Sequence, residues 1–294
     1  MNTHHTGDID RDALGAQLER EAELHTPFLE KAARWLRELM GGDDGADLAV
    51  GRVLDAGSGP GVATCLLART FPHADVVAVD QDPALLERVR LRAAKQRLSA
   101  RVSVQRADLP GEFDALGPAD LIWTSRFVHH LGDQQAALDA LSATLRPGGT
   151  LAVVESGLPP RFLPRDIGMG RPGFQARLDA VVEDHFASLR AELPGSTRVV
   201  EDWPAMMARA GLVPTGSRTF LTDLPAPLEL SAREHLHSHL SRLLERIGDR
   251  LDAEDRAVLE RLVDGDACTG ILWRPDAFYL AATTVHTARA CAGR

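Results

Sequence analysis

Ten residues constrain this chain more than any other stretch: Arg52-Val53-Leu54-Asp55-Ala56-Gly57-Ser58-Gly59-Pro60-Gly61. A short apolar run ends at Leu54, an acidic residue closes it, and three glycines follow at alternate positions. Val62-Ala63-Thr64-Cys65-Leu66-Leu67-Ala68 then starts a helical pattern. A buried strand, a tight turn and a helix N-terminus in so few residues let the backbone approach a polar ligand. Glycine serves such a turn twice, by taking positive φ freely and by having no Cβ to block the approach.

The spacing narrows the ligand. A dinucleotide fingerprint needs G-x-G-x-x-G, and its third glycine would fall here on Val62. The actual spacing is G-x-G-x-G with Asp55 two residues ahead of it. A carboxylate there repels a pyrophosphate and suits an ammonium or sulfonium centre. The stretch resembles motif I of class I S-adenosylmethionine (SAM) methyltransferases. That resemblance implies that Asp55, Gly57, Ser58, Gly59 and Gly61 lie along the amino-acid part of SAM, which leaves as S-adenosylhomocysteine.

Further positions fall in the same series. Asp75–Asp80 reads as a strand ending in a carboxylate roughly 20 residues past the glycines, where a nucleoside-binding fold places its ribose acid, with Gln81 beside it. Asp108, followed by Leu109, matches the family's adenine contact. Ala119–Ser125 reads as a fourth strand leading into Arg126-Phe127-Val128-His129-His130-Leu131, which resembles motif IV of small-molecule members, with Ser125 at its edge. Leu145-Arg146-Pro147-Gly148-Gly149-Thr150 through Glu155 is again typical wording for the family. The resemblance covers about residues 50–155, and beyond them the last strand by order.

The fold expected is α/β: a Rossmann-like, doubly wound, seven-stranded sheet with its last strand antiparallel, carrying N-terminal helices and helical insertions. Residues 1–45 read as a helical cap and 46–294 as the SAM-binding domain, with insertions at about 157–200 and 226–265. Residues 1–8 are expected to be disordered. One helix is expected over 9–25. A second is expected after Thr26-Pro27 as N-cap and first-turn proline, stopped by Gly41-Gly42-Asp43-Asp44-Gly45. Arg146–Gly149 reads as a turn, 157–173 as a loop at the cleft mouth, 174–192 as a helix, and 228–263 as a charged helical hairpin before the strand Ala277–Val285.

Composition excludes some partners. A net charge of −9 and a pI near 5.7 offer no general field for a phosphate backbone, so no nucleic acid is expected. Cys65, Cys268 and Cys291 form no zinc or C-x-x-C pattern and read as free buried thiols. No apolar leader and no run of about 20 apolar residues is present, which points away from a membrane and toward the cytoplasm. A homodimer is compatible with the sequence.

Methyl transfer from SAM is an in-line displacement at an activated carbon, and holding the reactants in line supplies much of the rate. A base is needed only where the acceptor must lose a proton. His130 and His129, in the motif IV loop, are the candidates, with Glu155 and His185 behind them. His235, His237 and His239 invite a metal reading, but only 235 and 239 share a helix face and no H-E-x-x-H is present, so no metal is expected and a solvated helix face is preferred. The expected function is SAM-dependent methyl transfer to a small-molecule acceptor, such as a secondary metabolite. A methyltransferase acting on a protein and a catalytically silent SAM-binding scaffold stay open.

Overall fold

Buried strands alternating with amphipathic helices leave one compact solution, a sheet with helices on both faces. The computed structural model describes residues 11–41 and 50–292. Strands β1 (Arg52–Ala56), β2 (Asp75–Asp80), β3 (Val102–Arg106), β4 (Ala119–Ser125), β5 (Leu145–Arg161), β6 (Val213–Leu224) and β7 (Tyr279–Arg289) form one seven-stranded sheet in the order β3-β2-β1-β4-β5-β7-β6. β7 is antiparallel to β5 and β6, and the β1–β5 pairings are parallel. The strand order reverses between β1 and β4, so the ligand crevice of such a sheet opens at their carboxyl ends.

Alternation along each strand divides the core in two. Val53, Leu121, Trp123, Ala152 and Val154 face one side, against helices α2 (Thr26–Gly41) and α3 (Val62–Thr70). Leu54, Ile122, Leu151 and Val153 face the other, against α5 (Gln134–Ala143) and α7 (Trp203–Arg209). On α2, Phe28, Leu29, Ala32, Ala33 and Leu36 make the buried stripe. Leu36 is completely buried, so its truncation to alanine is expected to cost about 2–5 kcal/mol. The insertions form a third cluster, in which α6 (Phe174–Glu192), α8 (Leu230–Ile247) and α9 (Ala253–Val263) pack over Phe162 and Tyr279.

Helix α1 (Arg11–Leu24) is joined to its neighbour by ion pairs. Glu19 pairs with Arg88 (3.1 Å) and Arg92 of α4 (Pro83–Lys95), and Glu23 pairs with Arg92 (2.8 Å). Asp82 and Asp133 cap α4 and α5, accepting from Ala84 and Ala136 N–H at 2.8 and 2.9 Å.

Four local expectations are corrected. Thr26 does not cap α2; its hydroxyl donates back to the Ala22 carbonyl at 3.5 Å, and His25 O accepts from Phe28 and Leu29 N–H instead. Residues 146–149 lie within β5, as an irregularity between the pairs Ala119/Leu145 and Leu121/Thr150. β5 also runs on to Arg161, because β7 keeps pairing with it through two register shifts, so the expected loop begins later. Only Cys65 is a buried thiol; Cys268 and Cys291 are exposed. The expected disorder of residues 1–8 and the stop at Gly42–Gly45 lie outside the described residues. No described helix is long and apolar enough to cross a membrane.

Candidate active site

At the end of β1 the chain turns under its own hydrogen bonds. Gly57 and Ser58 N–H both donate to Val79 O at 2.9 Å, and Gly57, Gly59 and Gly61 take φ of +75°, +53° and +78°. The three glycines are required for different reasons. A Cβ on Gly57 would lie 2.5 Å from the Phe127 ring, one on Gly61 would lie 2.7 Å from Val89, and one on Gly59 would meet nothing within 4 Å. Gly57 and Gly61 are therefore packing positions, while Gly59 keeps open space.

The carboxylates divide similarly. Asp55 is 1% exposed and accepts from the Thr64 hydroxyl at 2.6 Å, which joins β1 to α3. Burial pushes its carboxyl up to about 7, against the opposing pull of that hydrogen bond. Asp80 accepts from Gly59 N–H (3.0 Å) through one oxygen and Asp82 N–H (2.9 Å) through the other, so it orders the glycine turn and the start of α4. Burial raises its pKa while those N–H groups lower it.

Asp55, Gly57, Ser58, Gly59, Ser125, His129 and His130 line one cavity of about 410 Å³. Gln81 and Asp108 line a separate, more open hollow of about 630 Å³ with Asp82, Pro83, Arg106 and Glu112. The Asp108 N–H is engaged by Glu112 at 2.6 Å. Leu109 is buried in the core beneath β2, where it packs rather than opening to a ligand. Asp80 bridges the two regions through its bond to Gly59.

Beyond Ser125 the chain makes an abrupt turn. Arg126 takes φ +48°, rare for a side-chain-bearing residue, and its N–H donates to Val154 O at 2.9 Å. One turn of 3-10 helix, Val128–His130, follows. His129 Nδ1 lies 2.6 Å from Glu155 Oε2, and the other Glu155 oxygen is buried without a partner. Glu155 is 5% exposed. Helix α6 covers this pair: Phe186 meets both imidazoles edge-on, and the Arg190 guanidinium donates to His129 O. His130 opens to solvent at the rim, and partial burial and then the neighbouring His129, Arg126 and Arg190 hold its imidazole below the ordinary range. His185, on α6, does not line the cavity; its Nδ1 is buried without a partner.

Sequence reasoning missed the residues brought by α1 and the turn that follows it. Glu21 and His25 line the same cavity, and Glu21 pairs with Arg126 at 2.6 Å. Their spacing of four residues across the end of a weakly apolar helix was the available signal. His25 is 5% exposed and sits between Thr222 Oγ1 (3.4 Å) and Tyr279 OH (3.2 Å). Burial, then Arg126, drives its pKa down to about 3. The α8 histidines do not form a solvated face. His235 is 5% exposed, and with His239 it lines an inner cavity of about 180 Å³; His237 bonds the Val263 carbonyl instead. Among the described residues no cluster of His, Cys, Asp and Glu is suited to hold a metal ion.

A family model described as a methyltransferase domain matches residues 54–151. A trans-aconitate 2-methyltransferase of Methylobacterium nodulans is 31% identical over 195 residues, covering 60% of this chain and 72% of that protein. A protein of the same name from Azoarcus sp. is 36% identical over 131 residues, covering 45% and 48%. Over several of the curated relatives it matches, the chain spans less than half of their length. A solved geranyl diphosphate methyltransferase in complex with SAM superimposes with a TM-score of 0.47 at 17% identity, covering 94% of this chain and 90% of that one.

Proposed function

Because the chain belongs to the class I SAM-dependent methyltransferases, we propose that it methylates a small molecule seated beside the His129–Glu155 pair. The observation that carries this reading is a shared space: the glycine turn of β1 and the paired imidazole of the motif IV loop line one cavity.

The residues fit the donor. Gly59 leaves room that a Cβ would occupy, and Ser58 Oγ is buried with no partner. Asp55, Gly57, Ser58, Gly59 and Ser125 would hold the amino-acid end, and Asp80, Gln81 and Asp108 the nucleoside. Gly61 and Leu109 support the turn and the strand edge through packing. When bound, SAM supplies a methyl group activated by its sulfonium.

The remaining task falls to the chain's own groups. Glu155 accepts from His129 Nδ1–H, which fixes the tautomer and leaves Nε2 able to take a proton from the acceptor. His130, held toward its neutral form and placed at the rim, takes a positioning role. The relatives' name makes trans-aconitate a first acceptor to try. A carboxylate acceptor, however, has no proton to lose, whereas the His129–Glu155 pair favours a hydroxyl.

The test is transfer of an isotopically labelled methyl group from SAM into metabolite and protein fractions of the source organism. Label in small molecules, with H129Q and E155Q each about 10²–10⁴-fold slower in kcat at unchanged S-adenosylhomocysteine affinity, is the expected result. Label confined to protein, or wild-type kcat in both variants, would overturn it.

A further inference from the structure

The outer cavity does not end at the motif IV loop. Glu21, His25 and Arg126 line it, and the same three residues line the inner cavity formed with Phe162, His235, His239 and Tyr279. This inner space lies between α1, α8 and the end of the β5–β7 ladder. The β1 turn contributes nothing to its lining.

We propose that the inner cavity receives a carboxylate group of the methyl acceptor and that Arg126 is the residue that selects for it. The proposal rests on the methyltransferase reading, since it takes the outer cavity as the place of transfer.

The argument begins with donors and acceptors. A guanidinium carries five N–H groups in a rigid fork. Arg126 spends one side-chain contact, from Nη1 to Glu21 Oε1 at 2.6 Å, and its side chain has no other hydrogen-bond partner among the described residues. Neither His235 nor His239 has a ring hydrogen bond among the described residues, and His235 Nδ1 is buried with no partner. Burial holds both imidazoles below their ordinary range, and in the neutral form each offers one N–H to donate and one nitrogen to accept. The Tyr279 hydroxyl is within reach of His25. The unspent donors, most of them on the Arg126 fork, outnumber the imidazole nitrogens and the Glu21 oxygen left to accept. A ligand rich in acceptor oxygens satisfies them, and a planar carboxylate matches the free edge of a guanidinium with two parallel bonds.

The other ligand classes fit worse. An ammonium group would sit against Arg126, and the one anion present is already paired with it. A wholly apolar group would leave the guanidinium edge and the orphaned imidazole desolvated without partners, which is unfavourable. Glu21 does not close the site to an anion, because it holds only one terminal nitrogen of the fork and the opposite edge can take a second carboxylate.

The backbone supports the assignment. Arg126 keeps a left-handed φ of +48° at a conformational cost that glycine or asparagine would lower. Strain retained at a cleft residue is commonly tied to what its side chain does there.

The experiment uses the full chain saturated with S-adenosylhomocysteine and measures calorimetric affinities for trans-aconitate and 4-hydroxybenzoate. Their uncharged methyl esters and tyramine, as a cation, are the controls. At least one acid is expected to bind about tenfold or more tighter than its ester. R126Q should abolish that preference, and E21Q, which removes the competing carboxylate, should tighten the acid about three- to tenfold. The double variant R126Q/E21Q avoids stranding Glu21 unpaired and should also show no preference, so misfolding of R126Q alone does not protect the idea. Acids that bind no better than their esters, tighter binding of tyramine, or an acid preference that survives in both Arg126 variants would overturn it. The same wild-type protein's S-adenosylhomocysteine affinity reports separately on the methyltransferase reading.

Discussion

Alanine in place of Gly59 separates what the fold needs from what the ligand needs. Gly59 sits at φ +53°, and its added Cβ would meet no protein atom within 4 Å. The ligand-free protein then bears only the left-handed penalty, about 1–2 kcal/mol. Part of it is offset because alanine loses less chain entropy on folding, by about 0.4–1 kcal/mol. The net expected loss is about 1 kcal/mol. In the proposed complex the methyl group would enter the space assigned to SAM, and a hundredfold loss of affinity is expected. Linkage makes the contrast large: at 100 times the wild-type Kd, S-adenosylhomocysteine stabilises wild type by about 2.7 kcal/mol and the variant by about 0.4 kcal/mol. Urea unfolding of both proteins, with and without the ligand, reads all four quantities. Retention of the full ligand-induced gain by G59A would show that the open space at Gly59 is not the ligand's. A loss above about 3 kcal/mol without ligand would show that the turn is packed there after all. G57A is the control of opposite kind, since its Cβ would overlap the Phe127 ring at 2.5 Å and must damage the fold whether or not ligand is present.

Three further outcomes follow from the charges. D80N keeps the side chain's shape but turns one of the two acceptor oxygens into an NH2 donor, so either Gly59 or Asp82 N–H loses its partner and S-adenosylhomocysteine binding should fall by about 1.5–3 kcal/mol; calorimetry showing unchanged affinity removes Asp80 from the site. Asp55 has a folded pKa raised to about 7 from 3.8, so its contribution is fully present below the unfolded value and is lost as pH rises toward 7. The stability of D55N relative to wild type should therefore improve between pH 4 and 7, by up to about 1.4 kcal/mol per pH unit, and a gap that does not change with pH in denaturant titrations would refute this. His25 runs the other way: with a folded pKa lowered to about 3 from 6.5, its contribution holds above 6.5 and is lost as pH falls toward 3. H25Q should flatten the acid side of the stability profile between pH 6 and 4, and an unaltered slope would place the acid sensitivity elsewhere, with Glu21 the next candidate.

The order of strands and helices was written in the sequence because its signals are local. The glycine turn, the apolar run of β1 before it and the helical pattern after it each act within one or two turns of chain, and the structure follows them. The edge of the sheet where a ligand is expected followed from the same turn. What the sequence left undetermined depends on partners far along the chain. His129 differs from His130 because Glu155, 26 residues on, reaches only the former. Asp55 is turned inward because Thr64 of α3 takes its carboxylate, and Gly57 is required because Phe127 fills the space above it. The inner cavity needs α1, α8 and β7 together, and His25 meets Tyr279 across 254 residues. Periodicity marks a histidine as sitting on a helix face; only the burial of that face by distant elements decides whether it meets water, protein or ligand.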